Sequence, residues 1–285
     1  MLGTGNALSR SMVWIVGHRG SPTKQPENTF PSLEQAERDG ANALEIDICV
    51  TADDELLVWH DCHPAAVEAR LRRWNFEPQT KYRPRPFERP TRQMTLDEAR
   101  ARLGFMDASA YIPTLGELFE WTQTHSKIGL LFIDVKLPAS AAHLVPVVYR
   151  RMQQLPRPRC EIVLECAEVP VASAFRRLGV PHMLGLDVWK KKGLDYAHRL
   201  GVEWTCAQKP RHVQWPFPKT RLRSVVRHAL SKFVCAFNIN DEKEMQSLID
   251  LGVDGIMTDK PALLASLLES RAAKVERRPP TFAIA

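Results

Sequence analysis

Ala43-Leu44-Glu45-Ile46-Asp47-Ile48 decides how this chain folds. Four apolar residues in six, two of them β-branched, read as a buried strand. Two carboxylates interrupt the run two residues apart. Side chains at i and i+2 of a strand point the same way, so Glu45 and Asp47 share one face while Ile46 takes the other. Leu130-Leu131-Phe132-Ile133-Asp134-Val135-Lys136 repeats the pattern with Asp134 and Lys136. Charges on the inward face of an otherwise apolar strand are costly unless paired or metal-bound. A structural Asp–Lys salt bridge is the plainer reading. Two such pairs on separate strands make a site the stronger one.

Outward from these runs, short apolar segments alternate with amphipathic ones. Strands are expected at Val13–Val16, Ala43–Ile48, Leu130–Val135, Ile162–Glu165, Met183–Asp187, Trp204–Ala207, Phe233–Ile239 and Gly255–Thr258. Helices are expected at Thr29–Asp39, Leu115–Thr124, Ala139–Gln154, Pro170–Leu178, Leu194–Leu200, Thr220–Leu230, Glu242–Leu251 and after Pro261. Gly40, Gly179, Gly201 and Gly252 stand where helices end, and Asp241 and Asp259 stand where N-caps belong. Eight strand–helix pairs predict an α/β fold, a (β/α)8 TIM barrel. A doubly wound sheet is the alternative, but the sequence has no GxGxxG or GxxxxGKS turn to go with it. One further strand, Leu56–His60, follows the turn Asp53-Asp54-Glu55 and reads as a hairpin on the second strand.

The chain of 285 residues fits one such domain, expected over residues 12–268, with flexible termini at 1–11 and 270–285. Its formal charge is +6, from 39 Lys and Arg against 33 Asp and Glu. Between Cys62 and Thr95 lie eight Lys/Arg against three Glu, with prolines at 64, 78, 84, 86 and 90. The stretch at about 62–95 therefore reads as a basic, Pro-rich loop insertion after strand two, with long regular elements not expected. Such loops build the rim of a barrel site. The insertion is also the segment expected to contact an anionic membrane surface. Nucleic acid is not an expected partner, because proline-broken arginine runs are usually solvated loops. The six cysteines have no CxxC spacing, and four fall in apolar runs as buried thiols would. Cys49 and Cys62 bracket His60. A bridge there is the minor reading, since nothing in the sequence indicates an oxidising compartment. No apolar run approaches the roughly 20 residues of a membrane span. A cytoplasmic location is expected.

His18 ends the first strand, followed by Arg19-Gly20, and His60 ends the hairpin strand, followed by Asp61. A lone strand-end histidine is more often packed than reactive. Two of them flanking an acidic pair shift the odds. Imidazoles move protons near neutral pH, paired carboxylates hold hard divalent cations, and arginine grips phosphate with two parallel hydrogen bonds. Together these are the groups that metal-assisted cleavage of a phosphate ester uses.

The ordered strings Gly17-His18-Arg19-Gly20, Pro26-Glu27-Asn28-Thr29, Gly40-Ala41, Glu45-Ile46-Asp47, Thr51, Asp53 and His60-Asp61 resemble the glycerophosphodiester phosphodiesterase family. The resemblance continues through Ile112-Pro113-Thr114-Leu115 and Phe132–Lys136 to Gly252–Pro261, covering roughly Val13 to Leu268. It implies a barrel enzyme using a divalent cation, Mg2+ or Ca2+, and a small phosphodiester substrate. Carried over by position, Glu45, Asp47 and Asp134 would be metal ligands, and His18 and His60 the general acid/base pair. Arg19 and Lys136 would hold the phosphate. Glu27 and Asn28 would brace the first loop, with Glu27 also at the substrate or the metal's water shell, and Phe237 would form an aromatic wall. The expected reaction releases sn-glycerol 3-phosphate and an alcohol.

Two departures bear on substrate. The family usually has Glu where this chain has Asp134; the related sphingomyelinase D and phospholipase D toxins have Asp. The family's Trp-Thr-Val-Asn appears here as Phe237-Asn238-Ile239-Asn240. The alternative readings are a phospholipase D-like enzyme acting on lysophospholipids through a cyclic phosphate, and a non-enzymatic barrel that binds phosphate or phospholipid.

Overall fold

A computed structural model describes residues 13–74, 80–125, 127–187, 191–208, 219–227 and 232–276. The expected loose terminus at 1–11, the end of the expected helix Thr220–Leu230, and residues 277–285 lie outside them. Eight parallel strands close into a barrel: β1 (Trp14–His18), β2 (Ala43–Val50), β4 (Leu130–Val135), β5 (Glu161–Cys166), β6 (His182–Asp187), β7 (Trp204–Gln208), β8 (Phe233–Phe237) and β9 (Gly255–Thr258). β1 pairs with β9 on one side and β2 on the other, which removes both sheet edges. β3 (Leu56–Val58) pairs antiparallel with the end of β2, as the hairpin reading expected. This is the (β/α)8 TIM barrel.

Alternation divides each strand between two layers. Leu44, Ile46 and Ile48 of β2, and Leu131, Ile133 and Val135 of β4, face outward into the apolar layer beneath the helices. Ala43, Leu130, Phe132, Val163, Met183, Phe233 and Met257 fill the barrel interior. Glu45 and Asp47 have the parity of Ala43, and Asp134 that of Phe132. The inward faces are thus apolar at the strand starts and charged at their carboxyl ends, where barrel sites form. Stacked Trp204 and Phe233, with ring centroids 4.4 Å apart, lie in the apolar part.

The outer helices follow the strands: α1 (Phe30–Arg38), then α4 (Leu115–Trp121), α5 (Val145–Gln153), α6 (Val169–Arg177), α7 (Lys191–Leu200), α8 (Lys219–Val226), α9 (Glu242–Leu251) and α10 (Pro261–Glu276). Asp241 caps α9, accepting from the Glu244 N–H at 2.9 Å, and Gly252 ends it with a left-handed φ of 85°. The tail expected to be loose from residue 270 is helical as far as Glu276.

The insertion corrects an expectation. It holds one helix, α2 (Pro64–Arg72), and is followed at once by another, α3 (Leu96–Arg102); both lie over a separate apolar cluster that includes Leu57, Trp59, Val67, Phe87, Met94, Phe105 and Ile112. Pro64 sits at helix entry, and Pro84, Pro86 and Pro90 lie between helices, so these prolines punctuate regular structure instead of preventing it. Cys49 and Cys62 are joined by a disulfide, the reading the sequence ranked lower. Cys160, Cys166, Cys206 and Cys235 are free and buried, as expected. Among the described residues no helix is long and apolar enough to cross a membrane.

Candidate active site

Register assembles the site. Asp47 of β2 lies opposite Asp134 of β4, Asp134 opposite Glu165 of β5, and Glu45 opposite His18 of β1. Glu45, Asp47 and Asp134 each place a carboxylate oxygen within 4.8 Å of the others. All three side chains lie below the surface or nearly so, with Asp47 fully buried. Lys136 pairs with Asp134 and, at 2.8 Å, with Asp47. The Asp–Lys salt bridge of the plainer reading therefore exists, but inside a larger acidic cluster.

The turn after β1 brings Arg19 into that cluster. Arg19 has φ 54° and Gly20 φ 88°. A Cβ on Gly20 would come within 2.5 Å of the Ser32 backbone, so only glycine lets the chain double back against α1 here. The turn aims the Arg19 N–H at Glu45 (3.1 Å) and its Nε at Asp47 (2.9 Å), while Nη1 reaches both oxygens of Glu27 at 3.2 Å. Asn28, with φ 58°, exchanges two hydrogen bonds with Asp47: its Nδ2 donates to Oδ2 (2.8 Å) and its Oδ1 accepts from the Asp47 N–H (3.2 Å). Glu27 and Asn28 thus tie the first loop to Arg19 and Asp47.

Each histidine has a carboxylate behind it. His18 Nδ1 lies 2.6 Å from Asp259 Oδ1, and His60 Nδ1 lies 2.7 Å from Asp61 Oδ1. The Asn238 and Asn240 amides both donate to the other Asp259 oxygen at 2.6 Å. The second ring nitrogen of His18, Nε2, faces Glu45 at 3.9 Å. Phe237 packs edge-on against the His18 ring, with centroids 5.0 Å apart. His60 sits within electrostatic reach of Asp47 and Glu27.

Charge crowding divides the carboxyl groups. Burial and the neighbouring Asp47 push Glu45 well above the usual range, with Arg19 opposing. Burial also raises Asp134, although Lys136 opposes it. Glu165, raised by burial and by Asp134, reaches about 8. Burial works the same way on Asp47 but is outweighed by Arg19 and Lys136, which hold it well below its ordinary value. Both imidazoles are pushed down by burial and then by Arg19, His60 to about 4, so both favour the neutral form. A neutral ring whose Nδ1–H donates to a carboxylate presents an unprotonated Nε2.

This donor set fits a hard divalent cation. It is all oxygen and convergent, and its three carboxylates outnumber the two cations, Arg19 and Lys136, that pair with them.

Two participants were not legible as such. Asp259 reads in sequence as an N-cap, yet its carboxylate is taken by His18, Asn238 and Asn240. Arg70 reads as one arginine of a solvated insertion, yet it is 2% exposed and bound to Glu27 and Asp61. Trp189, which follows the Met183–Asp187 run in sequence and could line the mouth, lies outside the described residues. His63 caps α2.

A closed parallel barrel thus gathers carboxylates, two carboxylate-backed imidazoles and two cations at the carboxyl ends of its strands. The sequence profile of the Glycerophosphoryl diester phosphodiesterase family matches residues 18–151. A glycerophosphodiester phosphodiesterase of Caldanaerobacter subterraneus subsp. tengcongensis is 27% identical, over 89% of this chain and 97% of that protein. One from Bacillus altitudinis is 25% identical over 88% of this chain and 96% of that protein. Among solved structures, an Oleispira antarctica phosphodiesterase in complex with the product sn-glycerol-3-phosphate superposes with a TM-score of 0.70. It is 18% identical and covers 89% of this chain and 96% of that one, a likeness of fold. Residues 18–151, just under half of the chain, thus carry the sequence pattern of that family, and the two curated relatives extend the similarity over most of its length.

Proposed function

We propose that the protein is a metal-dependent phosphodiester hydrolase that cleaves glycerophosphodiesters to sn-glycerol 3-phosphate and an alcohol. The observation that carries this reading is the pair of imidazoles, His18 buried and His60 partly so, each held at Nδ1 by its own carboxylate, beside one cluster of three carboxylates. Proton transfer to and from a diester needs one group that accepts from the attacking oxygen and one that donates to the leaving alkoxide. His18 and His60 take these two parts.

Glu45, Asp47 and Asp134 would hold a Mg2+ or Ca2+ ion, which when bound supplies charge that stabilises the phosphoryl oxygens. Arg19 and Lys136 add positive charge on the same side of the site. Both stay charged, since burial is outweighed by Asp47 and Glu27 for Arg19, and by Asp134 and Asp47 for Lys136. Glu27 acts mainly through Arg19, which it holds with both oxygens. Phe237, against His18, supplies an apolar wall for the alcohol portion.

The test is turnover on a panel of diesters. Glycerophosphocholine and glycerophosphoethanolamine should yield sn-glycerol 3-phosphate only with a divalent cation present. His18→Ala and His60→Ala should each abolish release while leaving the thermal unfolding transition in place. Choline release from lysophosphatidylcholine without attack on glycerophosphocholine would replace this reading with the lysolipid one.

A further inference from the structure

Helix α2 carries one residue with no place in the chemistry above. The Arg70 guanidinium, 2% exposed, makes a two-pronged contact with Glu27: Nη1 to Oε1 at 2.6 Å and Nη2 to Oε2 at 2.5 Å. The same Nη1 donates to Asp61 Oδ2 at 3.1 Å. The other Asp61 oxygen holds His60 Nδ1. Both Glu27 oxygens also accept from Arg19, whose Nε faces Asp47. One guanidinium therefore stands at a junction. One branch runs through Asp61 to His60, and the other through Glu27 to Arg19 and the acidic cluster.

We propose that Arg70 is a positioning residue for both branches: it fixes the Asp61 carboxylate that orients His60, and the Glu27 carboxylate that orients Arg19. This rests on the reading of His60 as a proton-transferring group. The surroundings suit the role. α2 is tied at its start by the Cys49–Cys62 disulfide and capped by His63, and it presents Val67 and Arg70 to the interior. The Trp74 ring lies 5.6 Å from the guanidinium carbon. A planar fork can serve two carboxylates at once in fixed geometry, which an ammonium cannot. Without it, Asp61 would keep one ring partner and lose the contact that sets its angle. The basic insertion thereby becomes part of the site's frame.

Two variants test this. Arg70→Lys keeps the buried charge without the fork. Arg70→Met combined with Glu27→Gln removes the guanidinium and neutralises its main partner, so no carboxylate is stranded at Glu27. Each is measured for kcat and KM, and each is labelled with 15N-histidine, with His60→Ala assigning the His60 ring. The expected result is a fall in kcat of about 10- to 100-fold with KM within about threefold. The His60 nitrogens should leave the single tautomer with Nδ1 protonated, while the His18 nitrogens keep theirs. A His60 ring that holds that tautomer in both variants, or a kcat within about threefold of the parent, would overturn the proposal. If the parent protein turned over no diester, the functional reading would fail, and the ring signals would still report on positioning.

Discussion

His18 and Asp259 are 241 positions apart in the chain and 2.6 Å apart in the fold. Asp259 is completely buried, and burial alone would raise its pKa. His18 and the Asn238 and Asn240 amides outweigh that and hold it below the ordinary carboxylate range. An ionised Asp259 keeps the proton of His18 on Nδ1 and leaves Nε2 toward Glu45 free to accept. Asp259→Asn would present an amide N–H to Nδ1 and favour the opposite tautomer. The expected outcome is a loss of about 10²- to 10⁴-fold in kcat with KM little changed. Steady-state kinetics at saturating cation checks it, and a kcat within about threefold of the parent would remove Asp259 from the mechanism. At this scale sequence reading finds residues whose neighbours along the strand reveal them. Glu45 and Asp47 show themselves by i, i+2 spacing. Asp259 does not, because a carboxylate before Lys-Pro looks the same whether it caps a helix or reaches across a barrel.

At the scale of elements, the segment from β2 to α2 works as one unit. β2 supplies Glu45 and Asp47, β3 leads into His60 and Asp61, and α2 supplies Arg70. The Cys49–Cys62 disulfide joins the end of β2 to the start of α2 across 13 positions. Closing a loop of that size removes unfolded-state entropy worth about 3 kcal/mol at most, less whatever the β2–β3 hairpin already restricts. Cys62→Ser in the oxidised protein should therefore lower unfolding stability by about 1–3 kcal/mol, read by urea titration. Treating the parent with reductant should reproduce the loss, and an unchanged midpoint would mean that the hairpin alone sets the segment. The elements also show what composition hides. Arg70, Arg72, Arg83, Arg89 and Arg92 of the insertion all pair with carboxylates, namely Glu27 and Asp61, Glu68, Asp107, Glu98 and Asp54. Much of the charge that suggested an anionic membrane partner is thus answered within the chain.

Across the whole molecule, the buried groups give stability two opposing pH arms. Glu165, raised to about 8 from the ordinary 4.5, contributes stability that is full below 4.5 and is lost as pH rises through 8. Glu45 and Asp134 act in the same direction. His60, lowered to about 4 from 6.5, must take up a proton on unfolding, so it costs stability as pH falls from 6.5 toward 4. Glu27, lowered to about 2 by Arg70 and Arg19 against its burial, adds a loss as pH falls from 4.5 toward 2. The two arms offset each other between about pH 4.5 and 6.5, where a plateau is expected. In chelated protein the melting temperature should fall on either side of it. Adding Mg2+ or Ca2+ should lift the alkaline arm most, because a cation favours the ionised carboxylates. Scanning calorimetry from pH 3 to 9, with and without cation, checks this. A melting temperature that rises from pH 6.5 to 8 in chelated protein and ignores both cations would contradict the cluster as a metal site.

The sequence by itself determined the barrel and its charged strand ends. Alternation and apolar runs are local properties, and a period of two places Glu45, Asp47, Asp134 and Lys136 on inward faces before any contact is known. Only the tertiary structure decided which of those ends meet, and with what behind them. Parallel register set Asp134 between Asp47 and Glu165, and closure of β1 onto β9 carried Asp259 to His18. Packing of the insertion over its own apolar cluster turned Arg70 from a surface charge into the link between His60 and Arg19. The physical reason is the same in each case. Strand and helix signals come from neighbours in the chain, whereas the partner of a buried charge is whatever the closed fold brings within about 3 Å of it.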